Sequence, residues 1–119
     1  MNADIRDSDA LDEIFNAFKP EAIIHFSGLK AVGESVAEPL KYYDVNVRGS
    51  NSLLSAMSKA GCNSIVCSSS ATVYGDPQYL PYDEEHPTNP VNPYGRTKLM
   101  IENIICDWTN ADSKKGEQF

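Results

Sequence analysis

The sequence predicts an α/β domain built on parallel strands, and three observations carry that prediction. Apolar periodicity reads helix, strand, helix, strand, helix along the chain. The two strand segments are short and apolar on both faces, as strands buried in a parallel sheet are. The connection between them exceeds the roughly dozen residues that a parallel crossover needs.

The first helix is expected near 8–19. Ser8 is its capping candidate, and Leu11, Ile14, Phe15 and Phe18 recur at helical spacing. Lys19-Pro20 ends it, because proline disfavours helix in the residue before it. Ala22 to Phe26 reads as a strand near 21–27, closed by Ser27-Gly28. A long helix near 39–60 opens at Glu38-Pro39, runs through Leu53, Leu54 and Met57, and stops at Gly61. Ser64 to Ser68 is the second strand, near 63–68. From Tyr74 to Pro93 the chain is rich in Pro, Asp, Asn and Tyr and has neither period, and loops of that length usually have a function. Pro93-Tyr94 starts a helix near 93–109, with Leu99, Ile101, Ile104, Ile105 and Trp108 as its apolar stripe. The polar stretch from Asp112 to Phe119 is expected to fray.

The 119 residues suffice for one domain core, and 41% hydrophobic with 23% charged residues is the range of a soluble globular protein. A net charge of -7 repels phosphate backbones and anionic lipid, so neither nucleic acid nor membrane is an expected partner. No apolar run approaches the roughly 18 residues of a membrane span, and no leader-like segment precedes the first helix. Cys62, Cys67 and Cys106 show no metal spacing, and they suit reduced thiols of a cytoplasmic protein, Cys67 as a core residue. Asp83-Glu84-Glu85-His86 reads as a solvated loop rather than a metal site, for no second ligand cluster accompanies it.

In parallel sheets ligands bind beyond the carboxyl ends of the strands, where His25 to Lys30 and Ser68 to Tyr74 both fall. Tyr94 and Lys98, four apart at a helix start, can turn a phenol and an ammonium into one site. An ammonium favours phenolate, and such a tyrosine exchanges protons with an alcohol or sugar hydroxyl near neutral pH. Alone, the pair is a weak signal that also reads as a solvated helix face, and Ser68-Ser69-Ser70 alone is more often just a turn. The order strand, serine, long loop, YxxxK helix is more specific. It is the arrangement of short-chain dehydrogenases/reductases.

Within that superfamily the sequence resembles UDP-galactose (UDP-glucose) 4-epimerases over about Asp4 to Asp107. His25 to Ser35, HFSGLKAVGES, is similar to their HFAGLKAVGES. Ser68 to Gly75, SSSATVYG, matches their SSSATVYG, and Pro93 to Leu99, PYGRTKL, resembles PYGxSKL. The resemblance implies residues 1–119 are an incomplete, central and C-terminal part of an NAD-binding, Rossmann-like domain with a doubly wound parallel sheet. It implies oxidation of a UDP-sugar at C4 by NAD, a 4-keto intermediate, and hydride return to the other face. Tyr94 would be base and then acid on the C4 oxygen, Ser70 would hold and relay that proton, and Lys98 would bind the nicotinamide ribose. Asp4 and Ile5 match the dipeptide beside the adenine. Phe26, Ser27, Gly28, Leu29 and Lys30 match the loop along the cofactor, and Ser68 lies at the same edge. A homodimer through the helices following the two strands is also implied.

Val45 stands where the family has a cofactor-contacting asparagine, so no contact is expected of it and the adjacent Asn46 is the candidate. Ser27 replaces the usual alanine. No GxxGxxG loop is present, although its amides bind pyrophosphate in the family, so the chain is expected to be a fragment, inactive alone. Related 4,6-dehydratases and decarboxylases place acidic residues after the strand serine, as in TDEVYG, whereas this chain has Ala71-Thr72. Other NAD-dependent sugar-nucleotide enzymes and a non-catalytic fragment or interaction module are the alternatives.

Overall fold

The computed structural model describes residues 2–111; the expected fraying from Asp112 onward lies outside them. Helix α1 spans Ser8–Phe18 and is capped by Asp7 rather than Ser8, the Asp7 carboxylate accepting from the Ala10 N–H at 3.1 Å. It ends at Lys19, which turns left-handed at φ 47° ahead of Pro20. Strand β1, Ala22–His25, pairs in parallel with β2, Ser64–Cys67, in the register Ile23 to Ile65 and His25 to Cys67. That parallel pairing agrees with the sequence prediction.

Between the strands, the short helix α2 (Val32–Ala37) precedes a continuous helical run made of α3 (Pro39–Tyr42), a π-helical turn (Tyr43–Arg48) and α4 (Gly49–Ala60). Gly61, left-handed at φ 73°, caps α4. After β2 a 3₁₀ turn, Ala71–Tyr74, leads into the long loop, and α5 spans Pro93–Ala111.

One face of the strand pair carries the core. Leu11 and Phe15 of α1, Leu53, Leu54, Ala56 and Met57 of α4, and Ile101 and Ile105 of α5 close over Ile65 and Cys67. Each fully buried side chain of this size contributes about 1.5–3 kcal/mol. The other face departs from the expectation of strands buried on both sides. Ile24 is 66% exposed, Phe26 73% and Val66 43%, because no helix among the described residues packs there. Alternation along a strand sends Ile23 and His25 to the core and Ile24 and Phe26 outward.

Candidate active site

The site assembles where the carboxyl ends of β1 and β2 meet the start of α5. Tyr94 and Lys98 share one face of α5 and are 92% or more buried, with 8% and 7% exposure. The Lys98 ammonium donates to the Ser68 carbonyl at 3.2 Å, just past β2, and stands 6.0 Å from the Tyr94 ring centre. Ser68 donates its own N–H to the His25 carbonyl at 3.0 Å, extending the ladder by one step. The Tyr94 N–H donates to the Ser35 hydroxyl at 3.2 Å, so the buried Ser35 of α2 satisfies one of the open amides at the α5 N-terminus.

Ser70 opens the 3₁₀ turn. Its hydroxyl oxygen accepts from the Thr72 N–H at 3.2 Å and from the Thr72 hydroxyl at 2.9 Å. That turn lies against α5. A Cβ on Gly95 would stand 2.9 Å from the Thr72 carbonyl oxygen, so only glycine next to Tyr94 permits the approach.

Asn46, expected as a cofactor contact, is 1% exposed and occupied by the protein itself. Its amide oxygen accepts from the Leu29 N–H at 2.8 Å, and its amide group donates to the Leu29 carbonyl at 3.0 Å and to the Thr97 hydroxyl at 3.1 Å. The π-helical turn aims this side chain inward, and it locks the loop after β1 to the helix that carries Lys98. The residue is a clamp with both amide hydrogens committed.

The loop itself is open. Phe26, Ser27, Gly28 and Lys30 are exposed and Leu29 is half-buried. Gly28 sits at φ 153°, and a Cβ there would come 3.1 Å from the Asn46 amide oxygen and 3.8 Å from the Lys98 ammonium nitrogen. The backbone therefore passes close over Lys98. A groove of about 420 Å³ runs along this edge, lined by Ile5, Ile23, Ile24, Phe26, Ser27 and Leu53, among others. At its far end Asp4 is exposed and paired with Arg6 at 2.7 Å, which holds its carboxyl well below the usual carboxylate range. Arg6 also reaches Asp44 at 2.7 Å, and Asp44 pairs with Arg48, pinning residues 4–6 to the π-helical turn.

Sequence reasoning put His25 and Thr72 in the segments at the ligand edge but gave neither a role of its own. His25 is 5% exposed, with Nε2 2.9 Å from the Ser50 hydroxyl. Burial, helped by the nearby Lys98 charge, lowers it to about 4. Burial likewise pushes the Cys67 thiol up. His86, in the acidic loop segment, has Nε2 accepting from the Gln78 N–H at 3.0 Å and Nδ1 2.8 Å from the Pro87 carbonyl. Tyr74, Tyr79 and Tyr82 pack round it. Both ring nitrogens are engaged, as in a loop-stabilising histidine.

A parallel α/β pair whose carboxyl edge meets a helix bearing a buried tyrosine and a buried lysine is the architecture of a Rossmann-type domain. The family profile described as GDP-mannose 4,6 dehydratase matches residues 1–114, and the chain belongs to that family. It is 54% identical over 111 residues to "UDP-glucose 4-epimerase 2" of Arabidopsis thaliana, covering 93% of this chain and 32% of the relative. It is 54% identical over 112 residues to the UDP-glucose 4-epimerase of Bacillus subtilis, covering 94% and 33%. The crystal structure of the Bifidobacterium longum UDP-glucose 4-epimerase in complex with NAD+ and UDP superimposes with a TM-score of 0.93 at 46% identity, over 97% of this chain and 35% of that one. The chain thus spans about a third of the length of the relatives it matches.

Proposed function

We propose that these residues form the proton-transfer and nicotinamide-facing part of a UDP-glucose 4-epimerase, the central and C-terminal part of its NAD-binding domain. The observation that carries the reading is the junction of Tyr94, Lys98 and the Ser70 turn at the carboxyl edge of two parallel strands. The 54% identity to epimerases supports it.

The described residues fit the cofactor at two places. Gly28 lets the loop backbone run within contact distance of Lys98, where a Cβ would meet the Asn46 amide oxygen at 3.1 Å, and the apolar groove by Ile5, Ile24 and Phe26 suits a flat ring. Lys98 would hold the nicotinamide ribose there, and Phe26, Ser27, Leu29 and Lys30 would lie along the cofactor, with Asp4 and Ile5 at the adenine end. Bound NAD supplies the hydride acceptor and donor. Tyr94 takes the proton of the sugar C4 hydroxyl as the C4 hydrogen leaves, and returns it after the keto sugar has turned. Ser70 hydrogen-bonds the same oxygen.

Elimination of water, the chemistry in the family's name, needs a carboxylate after the strand serine. Ala71 and Thr72 occupy those positions, which favours epimerisation. The α4–α5 surface around Ser55, Ile104 and Trp108 is the proposed homodimer face. A cytoplasmic location suits the free thiols of Cys62 and Cys67, and galactose metabolism is the role proposed for it there.

The test is turnover of UDP-galactose to UDP-glucose by the full-length protein, with Tyr94→Phe as control. Turnover lost with Tyr94→Phe supports the reading, and undiminished turnover in that variant removes it. Residues 1–119 alone are expected to be inactive, since they contain no glycine-rich loop to supply amide donors for the cofactor pyrophosphate.

A further inference from the structure

A serine hydroxyl has one hydrogen to give and two lone pairs to fill. Both lone pairs of Ser70 are engaged by one residue, through the Thr72 backbone N–H at 3.2 Å and the Thr72 hydroxyl at 2.9 Å. What Ser70 has left is its own O–H. We propose that Thr72 is a positioning residue that makes Ser70 a one-way hydrogen-bond donor to the sugar C4 oxygen, so that Ser70 does not relay the proton. The inference rests on the epimerase reading.

The sequence-based expectation gave Ser70 the role of holding and passing on the C4 proton. A relay must first accept that proton, and an oxygen with two incoming donors has no free position for it. The step then balances without Ser70 changing state. The C4–H bond breaks with its electron pair going to the nicotinamide, the hydroxyl proton goes to Tyr94, and the C4–O bond becomes a carbonyl. On return the hydride forms the new C4–H bond and Tyr94 gives the proton back. Throughout, the Ser70 O–H faces the oxygen on which negative charge develops, and a fixed donor there stabilises the transition state more than the ground state. Placement follows from the fold. The turn holding Ser70 and Thr72 is pressed on α5 at Gly95, the neighbour of Tyr94.

The experiment is a double-mutant cycle in the full-length protein, using Thr72→Val, which keeps the shape and loses the hydroxyl, with Thr72→Ser, Ser70→Ala and the Ser70→Ala/Thr72→Val pair. The inference predicts that Thr72→Val lowers kcat by about 10-fold with KM for UDP-galactose within about twofold. Thr72→Ser should recover kcat to within about threefold, and Thr72→Val should cost nothing further once Ser70 is alanine. An unchanged kcat in Thr72→Val, a Thr72→Ser variant no better than it, or a full additional loss in the pair overturns the inference while the unsubstituted protein still turns over. Absence of turnover in the unsubstituted protein overturns the epimerase reading and this inference with it.

Discussion

The Lys98 ammonium donates to the carbonyl of Ser68 across 3.2 Å, tying the first turns of α5 to the residue that follows β2. A buried cation with one backbone acceptor keeps further donor hydrogens for a ligand, and it fixes the distance between strand edge and helix. Lys98→Met keeps the aliphatic stem and removes the charge. It should lower kcat of the full-length protein by at least about 100-fold, the scale on which positioned acid–base groups act. Steady-state kinetics with a thermal melt to confirm folding checks this, and a loss under threefold contradicts it.

Asn46 ties Leu29 to Thr97, and its removal should act on stability and on the loop together. Asn46→Ala leaves the Leu29 N–H and carbonyl without their partners in a half-buried setting, while the Thr97 hydroxyl keeps its bond to the Tyr94 carbonyl at 2.7 Å. Each stranded group costs about 1–3 kcal/mol, and solvent entering the gap reduces the sum. A loss of about 2–4 kcal/mol in urea unfolding is expected, with faster amide exchange at Leu29. Unchanged exchange at Leu29 would show that the loop is held by other contacts.

His25 sets a stability window. Burial, then the Lys98 charge, lowers it from 6.5 to about 4 in the fold. The unfolded chain therefore takes up the proton first as pH falls. Stability is full above pH 6.5 and declines towards pH 4, by on the order of 3 kcal/mol from this group. His25→Gln should flatten that interval in unfolding measurements across pH, and an unaltered slope would assign the loss to other groups.

Much of the site could be read from residue order, since Tyr94 and Lys98 sit four apart at a helix start and Ser70 follows an apolar strand. The strands, the long helical run and α5 announced themselves through period and through Pro39, Gly61 and Pro93. Other features depend on tertiary partners. Helix α2 is six residues with a glycine and no side-chain cap, held by Tyr42 donating to Glu34 and accepting from the Ala31 N–H. No local pattern marks such a helix. The π-helical turn is likewise invisible in composition, yet it decides that Asn46 points inward. Asp7 caps α1 in place of Ser8 because the chain turns one residue earlier, and either residue is a good cap. Ile24, Phe26 and Val66 read as buried from hydrophobicity alone, and their exposure is a property of what packs on that face.

The most direct measurement of the central claim follows the C4 hydrogen itself. UDP-[4-²H]galactose is converted by the full-length protein and the product analysed by proton and deuterium resonance. Hydride abstraction and return at one carbon, with Tyr94 handling only the hydroxyl proton, predicts UDP-glucose that keeps its deuterium at C4. A 4-keto-6-deoxy sugar nucleotide, or UDP-glucose whose C4 label has been lost to solvent, would contradict the account.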